Sequence, residues 1–225
     1  MTGKDGFANK RKLDHAAQVA KERAASRFWL KPGEEAVIIF LDTNPFFIYE
    51  HNLKLGGKYG NYFSCRKQMG ICPIEHTDSN LKPTYTGYLS IIDRREYTVE
   101  RQGKVENRKD TRKLIPIKGT AIMVVEDLIK KHGDLTGRAF IVKRYTKDDP
   151  NCGIAFELVG KKIDLVKNFG RDGSAPFDYM KVLKPPTDEE LSVLGFTVSV
   201  AGSAKDLAQE PQGNVNIPAA LRDLV

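Results

Sequence analysis

Three side chains that take soft or borderline metals, His51, Cys65 and Cys72, punctuate one loop-rich stretch that ends at His76. Histidine nitrogen and cysteine sulfur are the donors of structural zinc sites, which close a tetrahedron with four ligands. The usual partner of Cys72 would be a second cysteine three residues on, but the chain reads Cys72-Pro73-Ile74-Glu75-His76. His76 is the preferred fourth donor, because imidazole holds zinc better than an exposed carboxylate does, and Glu75 is the second choice. A loop with one or two buried thiols and an ordinary histidine is the plainer alternative. Nothing nearby supplies a positioned base in a pocket, so the expected role of zinc is structural rather than catalytic.

A second chemistry runs beside the first. Tyr59 and Tyr62 lead into Cys65-Arg66-Lys67, Tyr85 and Tyr88 lead towards Arg94-Arg95, and Lys143-Arg144-Tyr145 ends another extended run. Single-stranded nucleic acid is held by bases stacked on aromatic faces while cations follow the phosphates. Strand alternation puts Tyr85 and Tyr88 on opposite faces, so one of the two can enter a groove, and Tyr88 is taken as that member. Between Arg94 and Lys118 nine basic residues, Arg112 and Lys113 among them, meet four acidic ones, a local charge of +5. Such a segment attracts polyanions and makes binding salt-sensitive; a solvated hairpin is the competing reading. Trp29, the single tryptophan, sits between Phe28 and Leu30 and is expected to pack in the core. No phosphate-binding glycine loop and no Ser-His-Asp or Cys-His nucleophile pattern is present.

The elements that must position these residues are short and β-rich. Runs of β-branched and aromatic residues predict strands near 35–42, 46–53, 58–64, 84–93, 95–101, 111–117, 138–145 and 153–159. Gly56-Gly57 and Gln102-Gly103 read as hairpin turns. Thr120 can cap a helix from Ala121 to His132 with Val124, Leu128 and Ile129 on its apolar side and Gly133 as its stop. About five principal strands with one inserted helix make a mainly β fold with some α, an OB-fold-like barrel carrying a small zinc-type loop. Residues 1–26 form a basic N-terminal arm with a helix-prone run from Asp14 to Ala25. The barrel domain is expected over 27–184, its loop subdomain over about 51–83. After Gly160 the chain reads as irregular; 185–225 holds a short helix capped by Thr187 and a flexible tail.

Several separated motifs occur in an order that resembles the helix-destabilising, single-stranded-DNA-binding proteins of T-even and related tailed phages. They are Arg27-Phe28-Trp29-Leu30-Lys31-Pro32-Gly33, Tyr49-Glu50-His51-Asn52, Gly57-Lys58-Tyr59, Cys65 and Cys72-Pro73. Further on come Gly87-Tyr88-Leu89-Ser90-Ile91-Ile92-Asp93, Pro176-Phe177-Asp178-Tyr179, Lys181-Val182-Leu183 and Pro185-Pro186. The resemblance covers about 27–190. It implies zinc held by a histidine and cysteines, coating of exposed strands in phage DNA replication or recombination, and self-association through the arm. The chain departs from the family at Glu75, where a cysteine is expected. It departs again at its end, where Ser203 to Val225 carries a charge of only −1 in place of a strongly acidic tail.

Composition agrees with a globular reading: 225 residues, 40% hydrophobic, formal charge +7. The longest apolar runs, such as Val37 to Leu41, are too short for a membrane span. Three cysteines, an odd number, fit a reducing cytoplasm, here that of an infected host cell, better than a disulfide framework. Two rival functions remain: a single-strand-binding transcription cofactor that recruits an RNA polymerase, and, in another class, a metal-dependent nucleic-acid enzyme. Replication proteins are the other expected partners.

Overall fold

The computed structural model describes residues 27–197 apart from 56–57, 68–69 and 102–103. The expected arm over 1–26, the tail beyond 197 and the turns at Gly56-Gly57 and Gln102-Gly103 therefore lie outside the described residues. Seven strands form one antiparallel sheet: β1 (Glu35–Phe40), β2 (Phe46–Leu55), β3 (Lys58–Ser64), β4 (Thr84–Asp93), β7 (Thr111–Ile117), β8 (Ala139–Lys143) and β9 (Ala155–Val159). The path runs β3-β2-β4-β1-β8-β9, with β7 on β4. Two further strands, β5 (Tyr97–Arg101) and β6 (Lys104–Arg108), make a ribbon of their own where the sequence predicted one strand.

Strand β4 is the axis of the sheet. Its first half pairs with β2, Phe46 opposite Tyr88 and Glu50 opposite Thr84; its last residues pair with β1, Phe40 opposite Ile91. β1 and β2 thus lie end to end along one partner, separated by a short break. Because both faces of β1 are covered, its sequence is a near-continuous apolar run rather than an alternation. Ala36, Ile38 and Phe40 enter the main core with Leu89, Ile91, Ile115, Phe140 and Val142. Ile39 and Leu41 pack the other way, with Ile92, against Leu165 and Phe169 of α3 (Leu165–Ser174).

The helix that floors the main core, α2 (Thr120–His132), buries Ala121, Val125 and Leu128, whereas Val124 is only half-buried. Its N-cap is Gly119 at φ 55°, with no side-chain cap, so Thr120 is the first helical residue rather than the cap. Gly133 ends the helix as expected, at φ 69°, its N–H donating to the Ile129 carbonyl at 2.8 Å. Beyond Gly160 the chain is less irregular than its composition suggests. α3, kinked at Gly170, is followed by α4 (Tyr179–Val182) and α5 (Asp188–Val193). Thr187 and Glu190 form the reciprocal capping box of α5, and its first turn is acidic.

The sheet is not closed into a barrel, which corrects the expectation of closure. Among the strands β7 pairs only with β4 and β9 only with β8, and no ladder joins β7 to β9 among the described residues. The space between them is bridged instead by the extended segment Arg27–Leu30. The Phe28 N–H donates to Leu114 O at 2.7 Å and the Leu30 N–H donates to Asn151 O at 2.8 Å. Phe28 and Leu30 are fully buried in the main core, so in place of a closing ladder this strap supplies core side chains together with those two backbone bonds.

Candidate metal centre and adjoining cleft

The β2–β3 ribbon, α1 (Pro73–Thr77) and α5 form a small lobe with its own apolar cluster of Leu53, Phe63, Cys72, Ile74 and Leu191. The candidate donors arrive from three parts of it. β2 carries His51; the chain leaving β3 is pinned to β2 by the Cys65 N–H donating to Tyr49 O at 2.7 Å; Cys72 is the N-cap of α1. Glu75 lies three residues after Cys72 in the first turn of α1, so it shares that side of the turn. His76, one residue further round, is exposed. The clustered donor set is therefore His51, Cys65, Cys72 and Glu75, with all ligand atoms within 4.8 Å of one another. Glu75, the second choice on sequence, takes the place expected for His76, which is exposed instead.

The cluster has the chemistry of a cation site. His51 Nε2 stands 3.3 Å from Cys72 Sγ, and Cys65 Sγ stands 3.8 Å from Glu75 Oε2. A tetrahedron with zinc-type bonds of about 2.0–2.3 Å has edges of about 3.3–3.8 Å. The other imidazole nitrogen, Nδ1, lies 2.7 Å from the Leu81 carbonyl oxygen. A carbonyl can only accept, so Nδ1–H donates and the Nε2 lone pair faces the sulfurs, the orientation that a metal-binding histidine needs. Burial lowers the His51 pKa, the nearby Leu81 carbonyl and Glu75 working against it. Burial, with Cys72 and Glu75 alongside, pushes the Cys65 thiol up to about 12. Burial thus keeps His51 and Cys65 uncharged by themselves, and a bound cation would reverse that balance at the thiol. The cluster can hold a metal ion.

Next to this lobe lies a cleft of about 700 Å³, walled by the lobe's β3 on one side and by the strap and the loop before β9 on the other. Tyr62, Trp29, Arg27, Lys118 and Arg144 line it. Strand-like alternation in the strap turns Phe28 and Leu30 inward and Trp29 outward, where it is 52% exposed. Trp29 is thus a cleft residue and not, as the sequence suggested, a core one. Beneath it a buried network is built on Glu50. Its carboxylate accepts from Arg27 Nη2 at 2.8 Å, from Thr86 Oγ1 at 3.0 Å and from the Tyr88 hydroxyl. The Arg27 guanidinium lies 4.0 Å from the Tyr62 ring centroid, and Lys118 Nζ lies 5.8 Å from it. Burial opposes the Arg27 charge, but Glu50 beside it raises its pKa overall. The guanidinium is locked under Tyr62 as a fixed cation.

The remaining sequence candidates are dispersed. Tyr59 lies on β3. Tyr88 is fully buried, with burial raising its hydroxyl pKa, so it cannot stack on a base; Tyr85 is the exposed member of that pair. Lys113 is buried in an ion pair with Asp93 at 3.0 Å, and Arg95 bonds the same carboxylate at 2.8 Å. Both are structural rather than free for phosphate. Arg144, although in the cleft wall, spends its guanidinium on the carbonyls of Leu30, Thr146 and Lys147. Arg94 pairs with Asp110, Arg66 with Asp188, and Lys143 sits 3.7 Å from both Glu35 and Glu157. Arg112 donates to the carbonyls of Asp172 and Ala175. Lys67 and Tyr145 are exposed. Arg27 and Trp29 were not among the sequence candidates, and Lys118 was noted only as the end of the basic segment; the signal for Trp29 was the inward-outward alternation of Phe28, Trp29 and Leu30.

Among the described residues no helix is long and apolar enough to cross a membrane. The chain matches no protein-family model and no curated protein.

Proposed function

We propose that this protein is a non-enzymatic single-stranded-DNA-binding protein of the tailed-phage type, acting in DNA replication or recombination in the cytoplasm of an infected cell. The observation that carries the reading is the cleft, where an exposed tryptophan and a tyrosine backed by a fixed guanidinium meet Lys118. Unpaired bases stack on aromatic faces at about 1–3 kcal/mol each and duplex bases cannot, so such a cleft favours single strands. The strand order supports an OB-type core: a first strand broken into β1 and β2, then β4, β7, the helix α2, and β8 returning to β1 with β9 outside it. OB-folds are themselves partly open barrels. Zinc is the metal that the His51, Cys65, Cys72 and Glu75 donors fit best, as a structural ion that fixes β3 and with it Tyr62.

The test is a titration of full-length protein against single- and double-stranded oligonucleotides at several salt concentrations, with zinc measured on the same sample. Preference for the single strand, with affinity falling steeply as salt rises, supports the reading. Equal affinity for both forms at moderate salt overturns it.

A further inference from the structure

On the opposite face of the same two strands lies a second aromatic feature. Tyr49 and Tyr85 are direct cross-strand partners, their ring centroids 5.1 Å apart, and Phe47 stacks on Tyr85 at 4.9 Å with the planes 4° from parallel. Tyr49 is 44% exposed and Tyr85 46% exposed. The arrangement depends on a glycine. Phe47 is paired across the ladder with Gly87, and a Cβ at Gly87 would meet Phe47 Cε1 at 2.7 Å. Absence of that side chain lets the Phe47 ring lie along the strand and stack flat on Tyr85. Three aromatic rings are thus laid side by side with two of them open to solvent, where single exposed aromatics would need no explanation.

The register ties this surface to the cleft. Glu50 and Thr84 line the cleft and form the ladder pair next to Tyr49 and Tyr85. Successive residues point to opposite faces, so the two features are back to back across the first residues of β4. The rim between them is open, with Lys82, Thr84 and Tyr85 all exposed, and Lys67 stands beside Phe47 and Tyr49 on the far side. We propose that the Phe47, Tyr85 and Tyr49 rings are a second base-stacking platform, which takes the single strand as it leaves the cleft over the start of β4, with Lys82 and Lys67 placed for its phosphates. This rests on the cleft reading and extends it: a short oligonucleotide needs the cleft alone, a longer one uses both.

The experiment uses full-length protein and oligothymidylates of about 4 and about 16 nucleotides, the range of OB-fold site sizes. Fluorescence of Trp29, the single tryptophan, reports on the cleft. In the Tyr49→Ala/Tyr85→Ala variant the short oligonucleotide should bind and quench as in wild type, while affinity for the long one drops about tenfold or more. Tyr49→Phe/Tyr85→Phe keeps both rings and should bind both lengths normally. Tyr85→Leu keeps the bulk and strand fit without the π face, so it should reproduce the length-dependent loss even if the double alanine variant fails to fold. Unchanged binding of both lengths by Tyr85→Leu and by the alanine variant overturns the platform. Wild-type protein that binds neither length removes the cleft reading itself.

Discussion

The body and the metal lobe hold together in different ways. Sixteen buried residues form the main core, all from the strap, β1, β4, β7, α2 and β8 except Leu135 and Cys152, which come from loops, and in it Phe140 packs edge-on to Phe40 at 5.6 Å. The lobe has five, and one of those is the candidate ligand Cys72. A core of the first kind is stable because water is excluded from contiguous apolar surface; the second encloses donors whose burial is unfavourable until something compensates them. The body should therefore be unconditionally folded and the lobe conditionally so, although Tyr62 ties the cleft to the lobe.

The sharpest test of that contrast removes a ring from the body. Phe140→Ala should cost about 3–5 kcal/mol in urea unfolding and lower the transition of the whole protein. Cys72→Ser should act locally. It should release about one equivalent of zinc and make the 65–76 loop protease-sensitive while the body's transition moves by no more than about 1 kcal/mol. Cys152→Ser, in the main core, should retain the metal. A global collapse of Cys72→Ser would show the two regions to be one cooperative unit.

Acid probes a smaller effect within the body. Asp93 is fully buried; burial pushes its pKa up, but the bonds from Arg95 and Lys113 prevail and hold it below the usual 3.8. Since the unfolded chain takes up that proton at higher pH than the folded one, the stabilisation is fully present above about pH 4 and is lost as pH falls through the folded value. Asp93→Asn should flatten this acid limb of the stability curve. Smallest of all is the exposed Lys109–Glu96 pair at the base of the β5–β6 ribbon, 2.6 Å long; Lys109→Ala should leave the melting temperature unchanged within error.

How far the sequence disclosed these regions follows from the same contrast. Strands β1, β4 and β7 were legible because apolar runs bounded by turn residues record burial directly. α2 was legible from its periodic face and terminal glycine, though not the identity of its cap. Closure was not legible, since it depends on where Arg27–Leu30 lies in space; of the ribbon, β5 was expected, whereas β6 was not. At the site, His51, Cys65 and Cys72 were found by type. For the fourth, the group that clusters with them is the second choice, Glu75, and the preferred His76 is exposed. Alternation separated Tyr85 from Tyr88 correctly, but it could not say which face was filled by Leu114 and Leu183.

The strap makes one residue a lookout between two anchors. The amides of Phe28 and Leu30 are bonded to opposite flanks of the body, and the indole of Trp29 between them faces solvent. Hydrogen–deuterium exchange at those two amides is consequently a clock for how often the flanks part, and the emission of the intervening indole is a lamp on the same hinge. Anything that grips the indole should slow the clock at both neighbours, so that three consecutive residues report a binding event as a change in the breathing of the fold.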